Sequence, residues 1–258
     1  MSMTNTLSAV AMSFLSASFN AEVRTAYLSR GKVVGDRPVE ANELRLTARL
    51  GVDERFGRAG VWHFDYSSLT SRCNPGTTWF MHEFNWGAFY HYDLEVVEDW
   101  TLESEIMPYW VHIPKVDPSM EWWVIQSLRN PYLVPSWFMR RGTEGSDFTY
   151  FKLGLQKPVD FRDFGVEGLT VTPGVFAELG NSHLMTGRYG LREDGSAIPT
   201  GIQSLIAEIR AIYRINENFG VYAILQQFDL VNADARRQTH KPNCRDLTIF
   251  TIGLTVGF

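Results

Sequence analysis

The sequence has no apolar run long enough to cross a bilayer as a helix, which takes about 18 or more residues. Its longest candidate, Leu7–Leu15, is half that length. It has only two cysteines, Cys73 and Cys244, too few for a disulfide framework or a thiolate metal cluster. No Lys or Arg occurs before Arg24. The Leu7–Leu15 stretch, followed by Ser16, Ala17 and Ser18, therefore looks like the apolar part of an export signal without its basic leader. Residues 1–18 are read as a residual export signal or a disordered N-terminus, and 19–258 as one domain. The net charge of −5 gives no reason to expect a nucleic-acid partner. A Gly-x-Ser-x-Gly nucleophile elbow is also missing.

What the chain has is alternation. Leu44, Leu46, Ala48, Leu50 and Val52 oppose Glu43, Arg45, Thr47, Arg49 and Asp53. Trp86, Ala88, Tyr90, Tyr92, Leu94 and Val96 oppose Phe89, His91, Asp93 and Glu95. Leu205, Ala207, Ile209, Ala211 and Tyr213 oppose Glu208, Arg210 and Arg214. At the end, Phe250, Ile252, Leu254, Val256 and Phe258 oppose Thr251, Gly253, Thr255 and Gly257. A period of two with unlike faces is the mark of a strand between two media. The pattern predicts about twelve strands, at 19–29, 42–53, 59–68, 85–97, 100–112, 120–128, 131–141, 148–158, 167–179, 202–214, 218–229 and 247–258. Trp122 and Trp123 interrupt the alternation in the sixth.

These segments mostly run to about 9–13 residues, the length of a tilted membrane strand rather than the ~5–6 of a soluble one. Their connections alternate as well. Turns near 54–58, 98–99, 130 and 215–217 are short, whereas 31–41, 69–84, 181–201 and 231–246 are long. Short periplasmic turns and long extracellular loops are what an outer-membrane barrel shows. Val159–Gly165 is long for a turn and Arg141–Ser146 short for a loop. Pro108, Pro131, Pro135 and Pro173 fall in predicted strands, where each removes a ladder donor. The competing reading is a soluble barrel with an apolar inside. Strand length, turn rhythm and the last strand favour an all-β, transmembrane, antiparallel up-and-down barrel of about 12 strands in a bacterial outer membrane.

The segment Ala26–Gly31 (Ala-Tyr-Leu-Ser-Arg-Gly) followed by Asp36–Val39 (Asp-Arg-Pro-Val) resembles the first hairpin of the TorF-type porin family. Asn130–Pro135 (Asn-Pro-Tyr-Leu-Val-Pro) with Tyr150–Leu155 (Tyr-Phe-Lys-Leu-Gly-Leu) resembles a later strand pair of that family. The aromatic end at Phe258 resembles the signal read by barrel assembly machinery. The resemblance implies a small channel, with outer-membrane lipid and that machinery as partners.

The polar face supplies candidate lumen-lining residues: Glu22, Arg24, Glu43, Arg45, Arg49, Asp65, His91, Asp93, Glu95, Glu103, Glu105, Glu208, Arg210 and Arg214. Such charges either select ions in a water-filled pore or neutralise one another inside a filled barrel. The first alternative implies passive diffusion of small polar solutes. The second implies a closed structural or partner-binding barrel that works through its extracellular loops. His63 and His91 with Asp65, Asp93 and Glu95 have metal-ligand chemistry, but alternation alone accounts for their spacing, so no metal and no cofactor are assigned. A lipid-modifying enzyme would need a base beside a nucleophile. Ser182–His183 and the His63 and Ser67 pair are the only hints of one, so no enzyme is expected. Cys73 and Cys244 fall in two extracellular loops, where a disulfide would need their Cα atoms within about 7 Å. Trp79, Trp86, Trp100, Trp110, Trp122 and Trp137 lie mostly near strand ends, where an interfacial girdle would stand.

Overall fold

A computed structural model describes residues 15–29, 32–35, 38–50, 56–68, 80–113, 117–143, 147–239 and 245–257. Twelve long strands form the wall. They are β1 (Leu15–Arg24), β2 (Val39–Arg49), β3 (Arg58–Ser68), β4 (Phe80–Val97), β5 (Trp100–His112), β6 (Ser119–Arg129), β7 (Val134–Gly142), β8 (Thr149–Gln156), β9 (Leu169–Gly180), β10 (Gly201–Arg214), β11 (Phe219–Leu230) and β12 (Asp246–Gly257). Each pairs antiparallel with its neighbours in sequence, and β1 pairs with β12 from Ser18↔Gly257 to Arg24↔Thr251. The sheet is closed. Closure gives every strand two hydrogen-bonded neighbours, which matters where no water can satisfy a free N–H or C=O.

All twelve predicted strands are present, most within a few residues. The first begins earlier than expected. Leu15–Ser18 already pair with Ala48–Arg45 of β2. Residues 1–14, Cys73, Cys244 and Phe258 lie outside the described residues, so the leader, disulfide and C-terminal assembly expectations do as well.

The turns have local causes. Asp99, at φ 65°, takes the left-handed position of the two-residue β4–β5 turn, a conformation Asp tolerates better than most residues. The long β8–β9 connection carries a 3₁₀ turn, Phe161–Phe164. The Asp160 side chain caps that turn, and Gly165 at φ 82° ends it. The prolines sit where a missing donor is tolerated. Pro131 lies in the β6–β7 turn. The β4–β5 ladder is interrupted opposite Met107 and Pro108. Pro173 lies beside the end of β8.

The barrel is inside-out relative to a soluble one. Outward rows expose Val61, Trp86, Ile106, Leu153, Val175, Leu205, Ile209, Leu225 and Ile252. Inward rows bury Glu83, Asn85, Glu105, Glu121, Glu178, Glu208 and Thr251. No helix among the described residues is long and apolar enough to cross a membrane. Two short helices, α1 (Ser182–Tyr189) and α2 (Ala233–Gln238), lie at the end of the barrel that carries the long loops.

Inside, aromatic rings lie across glycines of the adjacent strand. Phe89 covers Gly60, Phe176 covers Gly154, and Tyr222 covers Gly253. A Cβ at Gly253 would run into the Tyr222 ring, whereas one at Gly257 would meet nothing within 4 Å. Gly253→Val is therefore expected to lower stability by about 1–3 kcal/mol through overpacking, and Gly257→Ala to leave it unchanged. Denaturant midpoints of protein folded into lipid would measure both.

Candidate functional site: the lumen

Inward parity brings most of the predicted lumen residues together. Glu22 and Arg24 of β1, Glu43, Arg45 and Arg49 of β2, His91, Asp93 and Glu95 of β4, Glu103 and Glu105 of β5, and Glu208, Arg210 and Arg214 of β10 all stand on inward rows. Asp65 does not. It pairs across the sheet with Asn42 and Phe84, on the outward row next to exposed Leu44 and Trp86. Its assignment to the lumen is corrected: this part of β3 reverses the pattern, with Trp62, Phe64 and Tyr66 inward and His63, Asp65 and Ser67 outward, so polarity pointed Asp65 the wrong way. The same register points His63 outward and His91 inward, which parts the candidate metal set. No metal-ligating cluster of three or more occurs among the described residues.

The inward charges on β2–β5 form one connected network. The Arg45 guanidinium grips Glu105 with two hydrogen bonds, Nη1 to Oε2 at 2.9 Å and Nη2 to Oε1 at 3.1 Å. Its Nε donates to Glu43 Oε1 at 3.1 Å. Glu105 in turn lies 3.6 Å from His91 Nδ1, and His91 Nε2 lies 2.8 Å from Asp93. Arg58 closes the chain by donating to Asp93 at 2.8 Å. Planar, bidentate arginine–carboxylate pairs are the strong kind.

Above this network, toward the end with the long loops, aromatics fill the lumen. Trp62 donates to Glu43 at 2.7 Å and packs on Tyr109 and Trp123 at ring distances of 5.7 and 5.1 Å. Arg140 lies over the rings of Tyr109 and Trp123, and Glu121 accepts from both Tyr109 and Arg140. This explains the doubled tryptophan in β6. Trp122 faces out and Trp123 faces in, paired across the sheet with Arg141 and Arg140. Of the expected girdle, Trp86, Trp100, Trp110, Trp122 and Trp137 stand on outward rows, and Trp79 lies outside the described residues.

The opposite wall is less filled. Between β1–β2 and β10–β11 a cavity of about 290 Å³ is lined by Glu22, Arg24, Glu43, Arg210, Tyr222 and Thr255, among others. The Tyr222 hydroxyl donates to Glu22 at 2.8 Å, and Gln226 to Glu208 at 2.7 Å. Both arginines are paired as well, Arg24 with Glu22 and Arg210 Nη2 with Glu208 Oε1 at 3.3 Å, so the cavity is lined by paired charges.

The connections 181–201 and 231–246 read as plain loops in the sequence, yet parts of them fold back. Met185, Tyr189, Ile198 and Ala235 pack with Phe176, Ile206, Phe228 and Leu230 in one buried cluster. Leu184 packs on Phe148 and Tyr150 at the start of the adjacent strand β8. Burial pushes the Tyr189 phenol above its usual range. Arg192 donates to Asp234 at 2.8 Å and ties the two loops together. The N-cap residues Asn181 and Asn232 were the legible signals for these helices. The Ser–His candidates have the following geometry. The Ser182 hydroxyl donates to the Ile198 carbonyl at 2.6 Å, and His183 is exposed. Four residues of strand, about 13 Å, separate His63 from Ser67.

A closed barrel with an apolar outside and a charged inside is a transmembrane β-barrel of the outer-membrane kind. No protein-family model matches the chain, and no curated protein matches its sequence. Solved structures do. An outer membrane channel from Pseudomonas putida F1 aligns with TM-score 0.58 and 10% identity over 95% of this chain and 96% of that one. The translocator domain of autotransporter NalP from Neisseria meningitidis aligns with TM-score 0.50 and 9% identity over 99% and 94%. The KdgM porin aligns with TM-score 0.49 and 9% identity over 94% and 99%. At such identities the likeness is one of fold.

The Arg45–Glu105 pair offers a direct test of the network. Arg45→Ala leaves Glu105 without its bidentate partner and is expected to cost up to about 3 kcal/mol. The double change Arg45→Met with Glu105→Leu removes both charges and should cost far less. Urea unfolding of the two variants in lipid would separate these outcomes.

Proposed function

We propose that the protein is an outer-membrane channel for passive diffusion of small polar solutes. The observation that carries this reading is the asymmetric lumen. One wall is filled by ion pairs and aromatics, while the opposite wall keeps a cavity lined by the Arg24–Glu22 and Arg210–Glu208 pairs. Water and small solutes prefer such a passage to lipid because its lining replaces their hydrogen bonds. Kinship with TorF-type porins, residence in the outer membrane and insertion by the barrel assembly machinery belong to the same reading.

A second reading has its own observation. The packing of α1 and Ile198 onto the long-loop ends of β8–β11 covers that arc of the barrel mouth and favours a closed barrel that acts through its loops.

Planar bilayers discriminate the two. Channel function predicts discrete conductance steps, larger when residues 182–199 are replaced by a short turn. Arg24→Glu with Arg210→Glu should move ion preference toward cations by a factor of about 2 or more. Correctly folded protein that stays silent with and without α1 would rule the channel out in favour of the closed barrel.

A further inference from the structure

The outward face of β2–β5 carries a feature that a lipid-facing wall has no use for. Three residues from the long-loop ends of β2 and β3, Asn42 Nδ2 donates to Asp65 Oδ1 at 3.2 Å. His63 Nε2 lies 3.0 Å from Asp65 Oδ2, and His63 Nδ1 lies 2.9 Å from the Asn85 carbonyl. The Phe84 ring packs on His63 at 4.6 Å. A carboxylate turned toward hydrocarbon is costly unless a polar group meets it. On the next outward row Trp86 and Trp110 stack at 4.5 Å, nearly parallel at 17°, with Trp86 half exposed. These two rings and His63 border an apolar furrow of about 370 Å³ that runs on toward the short-turn end over Leu46, Val61 and Ala88, with Leu44 beside His63.

Along the strand direction the order is polar cluster, aromatic platform, apolar furrow. That is the order of an amphiphile standing in a membrane leaflet. We propose that this face is a binding site for a single sugar-headed lipid, its hydroxyls on Asp65 and Asn42, a sugar ring on the Trp86–Trp110 platform and one acyl chain in the furrow. Hydrogen-bond inventory selects the head. A carboxylate has about four acceptor positions, of which the neighbours here use two, and the Asn42 carbonyl oxygen adds further acceptor capacity. The ligand must therefore bring donors. A choline head has no N–H or O–H, and a phosphate would set negative charge against Asp65. Sugar hydroxyls donate without net charge, and the C–H face of a pyranose packs on an indole ring as other apolar groups do. The site is independent of whether the lumen conducts.

Native mass spectrometry tests it with the whole protein in polyoxyethylene-ether micelles, titrated with dodecyl maltoside at low mole fraction. The expected result is one retained maltoside per protein. Dodecylphosphocholine, with the same chain, and free maltose, with a sugar and no chain, should not be retained. Asp65→Asn removes the charged acceptor and Ala88→Trp fills the furrow. Each should lower maltoside retention about tenfold or more, the loss expected of a charge-assisted hydrogen bond or of a chain-binding slot, with heat-modifiable gel migration unchanged. If Asp65→Asn fails to fold, Ala88→Trp still decides, because it alters only the furrow. Equal retention of maltoside and phosphocholine, retention of free maltose, or indifference to both substitutions would overturn the proposal. So would a protein dimer that forms without bound maltoside and is broken by Ala88→Trp, since the face would then belong to a second copy of the chain.

Discussion

In hydrocarbon a backbone N–H or C=O without a partner costs several kcal/mol, and no water is present to reduce that cost. The ladder between β1 and β12 answers this constraint. Those strands stand at opposite ends of the sequence, yet from Ser18↔Gly257 to Arg24↔Thr251 they pair residue by residue. Without that seam two strands would present unpaired edges to lipid. With it, each strand has a neighbour on both sides, and the parity of every side chain is set around the ring. The inward position of Glu22 and the outward position of Ile252 both follow from this register.

Closing the sheet encloses a space that then has to be filled or left wet, and the chain does some of each. Small residues at Gly60, Gly154 and Gly253 let rings from adjacent strands lie flat against the wall, which narrows the lumen without steric conflict. Arg45, Glu105, His91, Asp93 and Arg58 pair with one another, so their charge is cancelled within the network. The network depends on strands being neighbours across the barrel rather than in sequence, for Arg45 and Glu105 are 60 positions apart. The less crowded wall, from β10 round to β2, keeps the space that a solute could use.

Much of the architecture was legible because lipid and lumen impose opposite preferences on alternate residues. Where one face of a strand is cleanly apolar, as at Leu205, Ala207, Ile209 and Ala211, the pattern places both the strand and its orientation. It fails where the usual preferences of the two faces are reversed. In β3 the outward row holds His63, Asp65 and Ser67 while the inward row holds Trp62, Phe64 and Tyr66. Hydropathy therefore predicts the wrong orientation for Asp65. Trp123, which with Trp122 interrupts the alternation, fills the lumen among Tyr109, Trp62 and Phe138. The helices in the long loops were hidden for another reason. Each is under nine residues and owes its existence to burial of Leu184, Met185 and Ala235 against the barrel rather than to its own periodicity.

By itself, the sequence determined the number of strands, their approximate ends and the inside-out sense of the barrel, because a period of two depends only on residues close together in the chain. The tertiary structure alone decided which side chains meet across the ring: the pairing of Arg45 with Glu105, the cavity beside Arg24 and Arg210, and the outward cluster of Asn42, His63 and Asp65. Those contacts depend on the relative register of strands that are distant in sequence, and a shift of one residue in that register would turn each of these side chains to the opposite face.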